Sequence, residues 1–312
     1  MTIAATRHPR RAVRAYLELL RLPNVFTAIG DVALGVLIVR GSLSPGWLAG
    51  LLVGASSLLY LAGMVLNDVF DAPRDQLERP ERPIPSGRVP RGTAAALGWS
   101  LLVLVLGAAI TAAVLGQLPI LAVIAAALAA TIVAYDAWVK RTPAGPLAMG
   151  LCRGLNLMLG MSAAAWPWPA GGWVAAVGLT VYVVGITWFA RTEAVRSRRL
   201  QLTAATAVML IGIATVALYP WWLSEEEATG FHHSARWPVF WLVITGMLAW
   251  RLVRAIANPS PRNVQEAVKH AILSIIVIDA GAAMAVANST SAIAIVLLLV
   301  PAVFLGRWIY ST

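Results

Sequence analysis

The chain has 312 residues, of which 59% are apolar and 12% are charged, and its formal net charge is +10. A soluble domain usually carries about a quarter charged residues, so a soluble core could not bury this much apolar surface, whereas a lipid bilayer can. The single cysteine, Cys152, excludes a disulfide within the chain. We expect no nucleic-acid partner, because the basic residues lie in short segments between long apolar stretches.

Apolar stretches of about 20 residues, the length that crosses the hydrocarbon core as a helix, recur along the chain. They predict an all-α, polytopic transmembrane bundle of nine or ten spans, with residues 1–312 forming one domain. The last pair of spans is separated by a very short turn, which is why the count stays at nine or ten. The predicted spans are residues 24–40, 46–66, 93–115, 118–138, 145–165, 172–190, 201–220, 236–256, 268–287 and 291–309.

The positions of the basic residues predict the orientation of the bundle. Apart from Arg40 and Arg236, the 24 basic residues lie in or beside the N-terminal segment 1–22, the even-numbered connections and the C-terminus. Cytoplasmic loops carry an excess of Lys and Arg, so we expect both termini and these connections to be cytoplasmic. Segment 1–22 has no apolar stretch followed by a small-residue cleavage site, and we interpret it as a cytoplasmic segment of the mature protein.

A carboxylate cluster follows the second span. Asn67, Asp71 and Asp75 repeat every four residues and share one face of a helix, and Asp68 adds a further carboxylate. Hard oxygen ligands at a membrane boundary suit Mg²⁺ that bridges to a diphosphate. The alternative is a solvated helix end whose carboxylates pair with neighbouring arginines.

Basic residues follow this cluster in two places. Prolines at positions 80, 83, 85 and 90 forbid a regular helix over 79–90 and predict a stiff loop that holds arginines, whose forked guanidinium groups suit phosphate oxygens. Topology control is the second role of that loop. A later segment, 135–141, carries Tyr135, Lys140 and Arg141. Arg153 and Asn156 fall inside the fifth predicted span, where polar groups usually face a cavity or make a polar contact between helices.

Together these motifs resemble the UbiA superfamily of intramembrane prenyltransferases. The motifs are Asn67-x3-Asp71-x3-Asp75, the loop 82–87 with the letters RPIPSG, Tyr135-x4-Lys140-Arg141, and Arg153-Gly154-Leu155-Asn156. The resemblance implies a helical bundle around a central cavity and an Mg²⁺-dependent transfer of a prenyl group from a prenyl diphosphate to an apolar or aromatic acceptor. It also implies a multi-pass protein of the cell membrane with its catalytic loops in the cytoplasm.

The resemblance also implies roles for individual residues. Mg²⁺ ligands are expected among Asn67, Asp68, Asp71, Asp75 and Glu193. Catalytic residues are expected to be Asp71, Asp75, Lys140 and Glu193. Substrate-binding residues are expected to be Asn24, Arg82, Arg88, Tyr135, Lys140, Arg141, Arg153 and Asn156.

The family pattern breaks after the sixth span, where a second aspartate-rich motif is expected. The segment 191–199 has one carboxylate, Glu193, and Ser197 follows four residues later. This departure and the residues at 185–194 resemble the EboC-like branch of the superfamily. A binding-only relative that holds an isoprenoid is therefore an alternative. A small-molecule or proton transporter is another, because Asp31, Asp136 and Asp279 lie in or near predicted spans. The sequence does not define the prenyl chain length, the acceptor or the oligomeric state.

Overall fold

The computed structural model describes residues 9–307, and within that range its regular secondary structure is entirely helical. Short 3-10 helices at Leu22–Asn24, Val139–Arg141, Tyr219–Trp222 and Phe231–His233 join or extend the α-helices. The α-helices are α1 (Pro9–Leu20), α2 (Val25–Arg40), α3 (Gly46–Glu78), α4 (Arg91–Leu115), α5 (Pro119–Ala137), α6 (Gly145–Met161), α7 (Ala170–Ala190), α8 (Arg199–Leu218), α9 (Arg236–Ala257), α10 (Pro261–Ala283), α11 (Ser289–Leu297) and α12 (Leu299–Leu305).

The predicted all-α transmembrane bundle is confirmed, and each predicted span coincides with a helix or a helix pair. Within residues 9–307, seven helices are long and apolar enough to cross a membrane. Three of the predicted spans do not meet this criterion. They are α6, which has only 17 residues, α10, which carries charged residues in its first turns, and the final pair α11–α12. Pro301 explains the division of this pair at Leu298, because its ring clashes with the carbonyl four residues earlier and it donates no hydrogen bond there.

Small residues bring several of the helices into close contact. A Cβ atom built on Gly35 of α2 would lie 2.1 Å from the carbonyl oxygen of Leu157 in α6, and one on Gly160 of α6 would lie 2.2 Å from the carbonyl oxygen of Val32. Without a hydrophobic driving force between helices in lipid, such close backbone packing is a main source of association. These glycines bring α2 and α6 together, and the two helices carry the polar residues described below.

The polar end of the bundle is built on α3, which has 33 residues. Its last turns extend beyond its apolar part and present Asn67, Asp71 and Asp75. The proline-rich segment 79–90 that follows contains no helix, as predicted. It is closed on itself by a hydrogen bond of 3.0 Å from the Val89 amide to the Pro83 carbonyl.

A small apolar cluster fixes this segment against the end of the bundle. Ile84 and Val89 from the segment pack with Ala15 and Leu19 of α1 and with Val65 of α3. Helix α1 therefore belongs to the folded end of the bundle. Residues 1–8 of the predicted cytoplasmic segment lie outside the described residues.

Candidate active site

The carboxylate face of α3 meets the basic 3-10 helix Val139–Arg141. The Lys140 ammonium donates hydrogen bonds of 2.8 Å to Asn67 Oδ1 and to Asp71 Oδ2. The other carboxylate oxygen, Asp71 Oδ1, lies 3.3 Å from the Arg141 guanidinium. Lys140 is largely buried, because its side chain is 11% exposed. The structure therefore brings together four residues that the sequence placed in two separate motifs.

A second set of ion pairs continues along the same face. Arg82 from the proline-rich segment donates a 2.7 Å hydrogen bond to Asp75 Oδ2 and lies 3.6 Å from Asp68 Oδ1. Arg21 donates a 2.8 Å hydrogen bond to the same oxygen of Asp68. Arg21 has a φ of 45°, a left-handed conformation that is uncommon outside glycine. Such strain persists where surrounding contacts fix it, and here the bond to Asp68 is such a contact.

Apart from Asp68, these residues line a polar cavity of about 1250 Å³ that is partly open to solvent. Seven basic side chains and three carboxylates line it, which leaves an excess of four positive charges. A cavity with this charge favours a polyanion such as a diphosphate, because arginine and lysine donors make strong charge-assisted hydrogen bonds to phosphate oxygens. The lining residues are Arg21, Asn67, Asp71, Arg74, Asp75, Glu78, Arg79, Arg82, Tyr135, Lys140, Arg141 and Arg191.

An apolar cavity of about 530 Å³ adjoins the polar one, and Tyr135 lines both. Its wall is formed mainly by aliphatic, aromatic and methionine side chains of α3, α5 and α6, and Asp136, Arg153 and Asn156 are among its few polar members. Ligand sites are commonly lined by apolar side chains with a few placed polar groups. The pair of cavities therefore suits an amphiphile with an anionic head and an apolar tail.

Arg153 and Asn156 belong to a buried network rather than to the polar cavity. Arg153 donates to Asp31 Oδ2 at 2.9 Å and to the Thr27 hydroxyl at 2.7 Å. Asn156 donates to Asp31 Oδ2 at 2.9 Å and accepts a 2.7 Å hydrogen bond from Ser56. Both residues line the apolar cavity with the remainder of their side chains. Arg153 and Asn156 therefore line a cavity and also make polar contacts between helices, so both interpretations from the sequence apply.

Glu193 lies in a neighbouring polar cavity that does not include Asp71. That cavity of about 1220 Å³ also contains Arg79, Arg82 and Arg88. Burial raises the pKa of the Glu193 carboxyl above its ordinary value, and the positive charge of Arg79 opposes this shift. The structure therefore separates Glu193 from the Asn67–Asp71 pair while keeping it beside arginines that border both cavities.

The altered second motif adds a cation where the family is expected to add a carboxylate. Arg191 lines the polar cavity of Asp71, and its guanidinium is held by the Thr142 carbonyl. Ser197 and Thr192 bond to each other at 2.7 Å and so close the turn that follows α7.

Arg88 and Asn24 lie away from the polar cavity. Arg88 forms an ion pair with Glu18 of α1 and donates a 2.7 Å hydrogen bond to the Glu81 carbonyl, contacts that hold the proline-rich segment closed. Asn24 ends the first 3-10 helix, and its carbonyl accepts a 2.7 Å hydrogen bond from the Thr27 hydroxyl. It lines a separate cavity near α10 and α12.

The donor set on α3 fits a hard divalent cation. No group of three or more His, Cys, Asp or Glu side chains that could hold a metal occurs between residues 9 and 307. Mg²⁺, however, is usually bound by only one or two carboxylates, and substrate phosphates and water complete its shell. The Lys140 ammonium contacts oxygens of both Asn67 and Asp71, so a positive charge stands where these two ligands converge. The oxygens of Asn67 and Asp71 thus fit Mg²⁺ that carries a diphosphate.

Arg21, Arg191 and Asp136 are among the cavity-lining residues that the sequence did not predict as site residues. Arg21 and Arg191 each lie next to the end of a predicted span, where a basic residue looks like a topology signal. Their position toward the cavity depends on the turns that carry them. Asp136 adjoins Tyr135 in the chain, but its direction toward the apolar cavity depends on the helix packing.

Comparisons with known proteins identify the family of the chain. The family model described as the UbiA prenyltransferase family matches residues 26–276. A digeranylgeranylglyceryl phosphate synthase of Halobacterium salinarum is 31% identical over 230 residues, covering 67% of this chain and 81% of that protein. The chain therefore belongs to the UbiA prenyltransferase family and is an enzyme of that type.

Two solved structures share the fold. The apo structure of a UbiA homolog from Aeropyrum pernix K1 has a TM-score of 0.61 at 18% identity, over 82% of this chain and 96% of that chain. A UbiA homolog from Archaeoglobus fulgidus bound to GPP and Mg²⁺ has a TM-score of 0.53 at 13% identity, over 84% of this chain and 99% of that chain. At these identities the likeness concerns the fold.

Proposed function

We propose that this enzyme transfers a prenyl group from a prenyl diphosphate to a hydrophobic acceptor within the membrane, and that the reaction depends on Mg²⁺. The observation that carries the proposal is the junction at Tyr135, where a cavity lined by an excess of cations meets an apolar cavity. In this proposal the diphosphate occupies the first cavity and the isoprenoid tail extends into the second. The electrophilic carbon C1 of the donor then lies near Tyr135.

The donor head group is bound by residues from three segments. Lys140 and Arg141 approach it from the 3-10 helix after α5, Arg82 from the proline-rich segment, and Arg191 from the end of α7. Asn67 and Asp71 would hold Mg²⁺, and Asp68 and Asp75 keep Arg21 and Arg82 oriented through the ion pairs described above. When bound, Mg²⁺ polarises the diphosphate oxygens as a Lewis acid.

The residues around the two cavities favour cleavage of the bond between C1 and the diphosphate oxygen. Negative charge grows on the leaving diphosphate, and the preorganised Lys140, Arg141 and Arg82 stabilise it in a partly buried site. Positive charge spreads over the allylic carbons in the apolar cavity, where the scarcity of water protects the cation from hydrolysis. Tyr135 separates the two regions and presents its ring to the reacting carbon.

The acceptor is proposed to be an apolar or aromatic molecule that reaches the site from the bilayer. The Halobacterium salinarum relative is named for the product digeranylgeranylglyceryl phosphate, which makes a glyceryl phosphate lipid one acceptor to test. The EboC-like placement is also a proposal, carried by the residues at 185–194 and by the single carboxylate Glu193. In an enzyme of that branch, Arg191 supplies part of the positive charge at the diphosphate that a second metal ion supplies in family members with the second aspartate-rich motif.

The topology of the protein is part of the proposal. We propose that residues 1–312 form one transmembrane domain, that both termini face the cytoplasm, and that the polar cavity opens to the cytoplasm. The distribution of basic residues supports this orientation. The test introduces single cysteines into Cys152→Ser protein, either in the loop at 42–45 or in the loop at 79–90. In sealed vesicles a charged thiol reagent that does not cross the membrane should label the cysteine in one of the two loops and not the cysteine in the other.

The experiment that tests the function measures diphosphate release by purified protein from geranyl, farnesyl and geranylgeranyl diphosphate, with and without Mg²⁺. The acceptors are a panel of phenols and glyceryl phosphate lipids. Metal-dependent release in the wild type that is lost in Asp71→Ala supports the proposal. Glu78→Ala, in the same cavity, is the matched control, because Arg74 is the one partner of the Glu78 carboxylate among residues 9–307.

Binding of the donor without release of diphosphate across the whole panel would instead favour a non-catalytic, isoprenoid-binding role. The family match does not favour a transporter.

A further inference from the structure

Asp136 is the carboxyl group that the proposed reaction has not used. It lies in the last turn of α5 and is 3% exposed. It lines the apolar cavity, as does its chain neighbour Tyr135, which also lines the proposed diphosphate site. Among the described residues no hydrogen bond or ion pair reaches its buried oxygen Oδ2.

A buried carboxyl group without a partner requires an explanation, because nearly all buried polar groups in proteins are hydrogen-bonded. Another buried carboxyl, Asp31, is held by Arg153 and Asn156, which line the same cavity as Asp136. Asp136 faces the cavity without such donors. A ligand in the cavity that carries a hydrogen-bond donor would supply the missing partner.

The charged and titratable groups near Asp136 come from each element packed against it. They are Asp68 and Asp71 of α3, Arg21 before α2, Lys140 after α5, its neighbour Tyr135, and Cys152 and Arg153 of α6. Three of these groups are cations, and two of them, Lys140 and Arg21, belong to the diphosphate cavity. Asp136 is thus close to the head-group site but lies on the apolar side of the junction.

We propose that Asp136 binds the hydroxyl group of an alcohol or phenol acceptor and removes its proton. This inference rests on the proposed prenyl transfer and extends it by a catalytic residue. The location agrees with the chemistry, because the acceptor atom must approach C1 of the donor at the junction of the two cavities.

The proposed step balances as follows. An oxygen lone pair of the acceptor, or the ring carbon next to the phenol oxygen, forms a bond to C1. The C1–O bond breaks, and its electron pair leaves on the diphosphate. The proton lost by the acceptor bonds to the Asp136 carboxylate and passes to water when the diphosphate leaves. No oxidant or reductant is required.

The test compares wild type, Asp136→Asn and Asp136→Glu with an acceptor that supports turnover. General-base catalysis contributes about 10²- to 10⁴-fold, so Asp136→Asn should lower kcat by at least about 100-fold. Its Kd for the prenyl diphosphate should stay within about twofold of the wild-type value, because Asp136 does not line the polar cavity that binds the diphosphate and because asparagine has nearly the same size as aspartate in the apolar cavity. Asp136→Glu should recover part of kcat.

The matched control is Asp279→Asn. Asp279 is a fully buried carboxyl whose two oxygens also lack hydrogen-bond partners, but it does not line the apolar cavity. We expect this variant to keep the wild-type kcat. If Asp136→Asn also keeps it, the role of Asp136 is wrong, while the prenyl transfer itself stands.

A second arm uses only the wild-type protein and so does not depend on the folding of a variant. The active acceptor is compared with its O-methyl ether, which has no hydroxyl proton. Loss of turnover with the ether supports the proposal, and equal turnover overturns it. A wild-type protein that releases no diphosphate with any acceptor overturns both this inference and the proposed function.

Discussion

Lys140 lies against the two residues proposed to hold Mg²⁺, and the substitution Lys140→Met should therefore have two opposite consequences. Its ammonium bonds Asn67 and Asp71, the two residues proposed to hold Mg²⁺, at 2.8 Å each. Mg²⁺ must therefore displace the ammonium in order to bind. Once the donor is present, the displaced ammonium is free to bind a diphosphate oxygen. Removing it should strengthen metal binding and weaken donor binding.

The size of each effect follows from the contacts that are lost. A hydrogen bond to a charged group contributes about 1.5–3 kcal/mol net, which corresponds to about 10- to 150-fold in an equilibrium constant. Without donor, Lys140→Met should bind Mg²⁺ more tightly by about that factor, because the metal no longer displaces an ammonium. With Mg²⁺ present, the variant should bind prenyl diphosphate more weakly by a similar factor.

The assay titrates purified protein in detergent with Mn²⁺, whose free concentration is followed by electron paramagnetic resonance, and with Mg²⁺ as competitor. Donor affinity is then measured by calorimetry at saturating Mg²⁺. Lys269→Met is the matched control, because this lysine is exposed and lines a different cavity. If Lys140→Met binds metal no more tightly than the wild type and Lys269→Met, the reasoning that Lys140 stands in the metal position is refuted.

Three further predictions concern stability. Arg153→Met leaves the buried Asp31 carboxylate without its ion-pair partner and should lower the free energy of unfolding by about 3–5 kcal/mol, as measured by thermal unfolding. Adding Asp31→Asn should restore part of the loss. Gly160→Ala should lower the unfolding temperature, because the new Cβ would lie 2.2 Å from a carbonyl oxygen of α2, whereas Gly107→Ala, with open space around it, should be neutral or stabilising by up to about 1 kcal/mol. Burial raises the pKa of the Glu193 carboxyl in the folded state, so the wild type loses stability as the pH rises from the ordinary pKa of a glutamate through the folded-state pKa. Glu193→Gln has no such carboxyl and should therefore gain stability relative to the wild type over the same pH range. Melting curves between about pH 4 and pH 8 test this.

Local spacing was sufficient to predict much of the polar site. Asn67, Asp71 and Asp75 are four residues apart, so a helix places them on one face wherever it lies in the fold. The prolines of segment 79–90 exclude a helix whatever surrounds them. These features depend on neighbouring residues in the chain, which is why the sequence predicted them and the structure agrees.

Contacts between distant segments were not predictable in the same way. Nothing in the sequence pairs Lys140 with Asp71 rather than with solvent, because the pairing depends on how the 3-10 helix after α5 turns back toward α3. The same holds for Asp136, whose position in a polar motif does not reveal that its carboxyl faces an apolar cavity. The break at Leu298 is a local effect of Pro301 that hydropathy averages over.

The length of α3 has a consequence for what happens after catalysis. At about 1.5 Å per residue its 33 residues measure about 50 Å, whereas the hydrocarbon core is about 30 Å thick. The turns that carry the carboxylates thus extend beyond the hydrocarbon core, while the same helix lines the apolar cavity within it. In the proposed reaction, one product is diphosphate, a water-soluble anion that is released into the aqueous phase. The other product is a lipid that is released into the bilayer. The two products part into different phases, so dilution on one side and partitioning on the other oppose the reverse reaction.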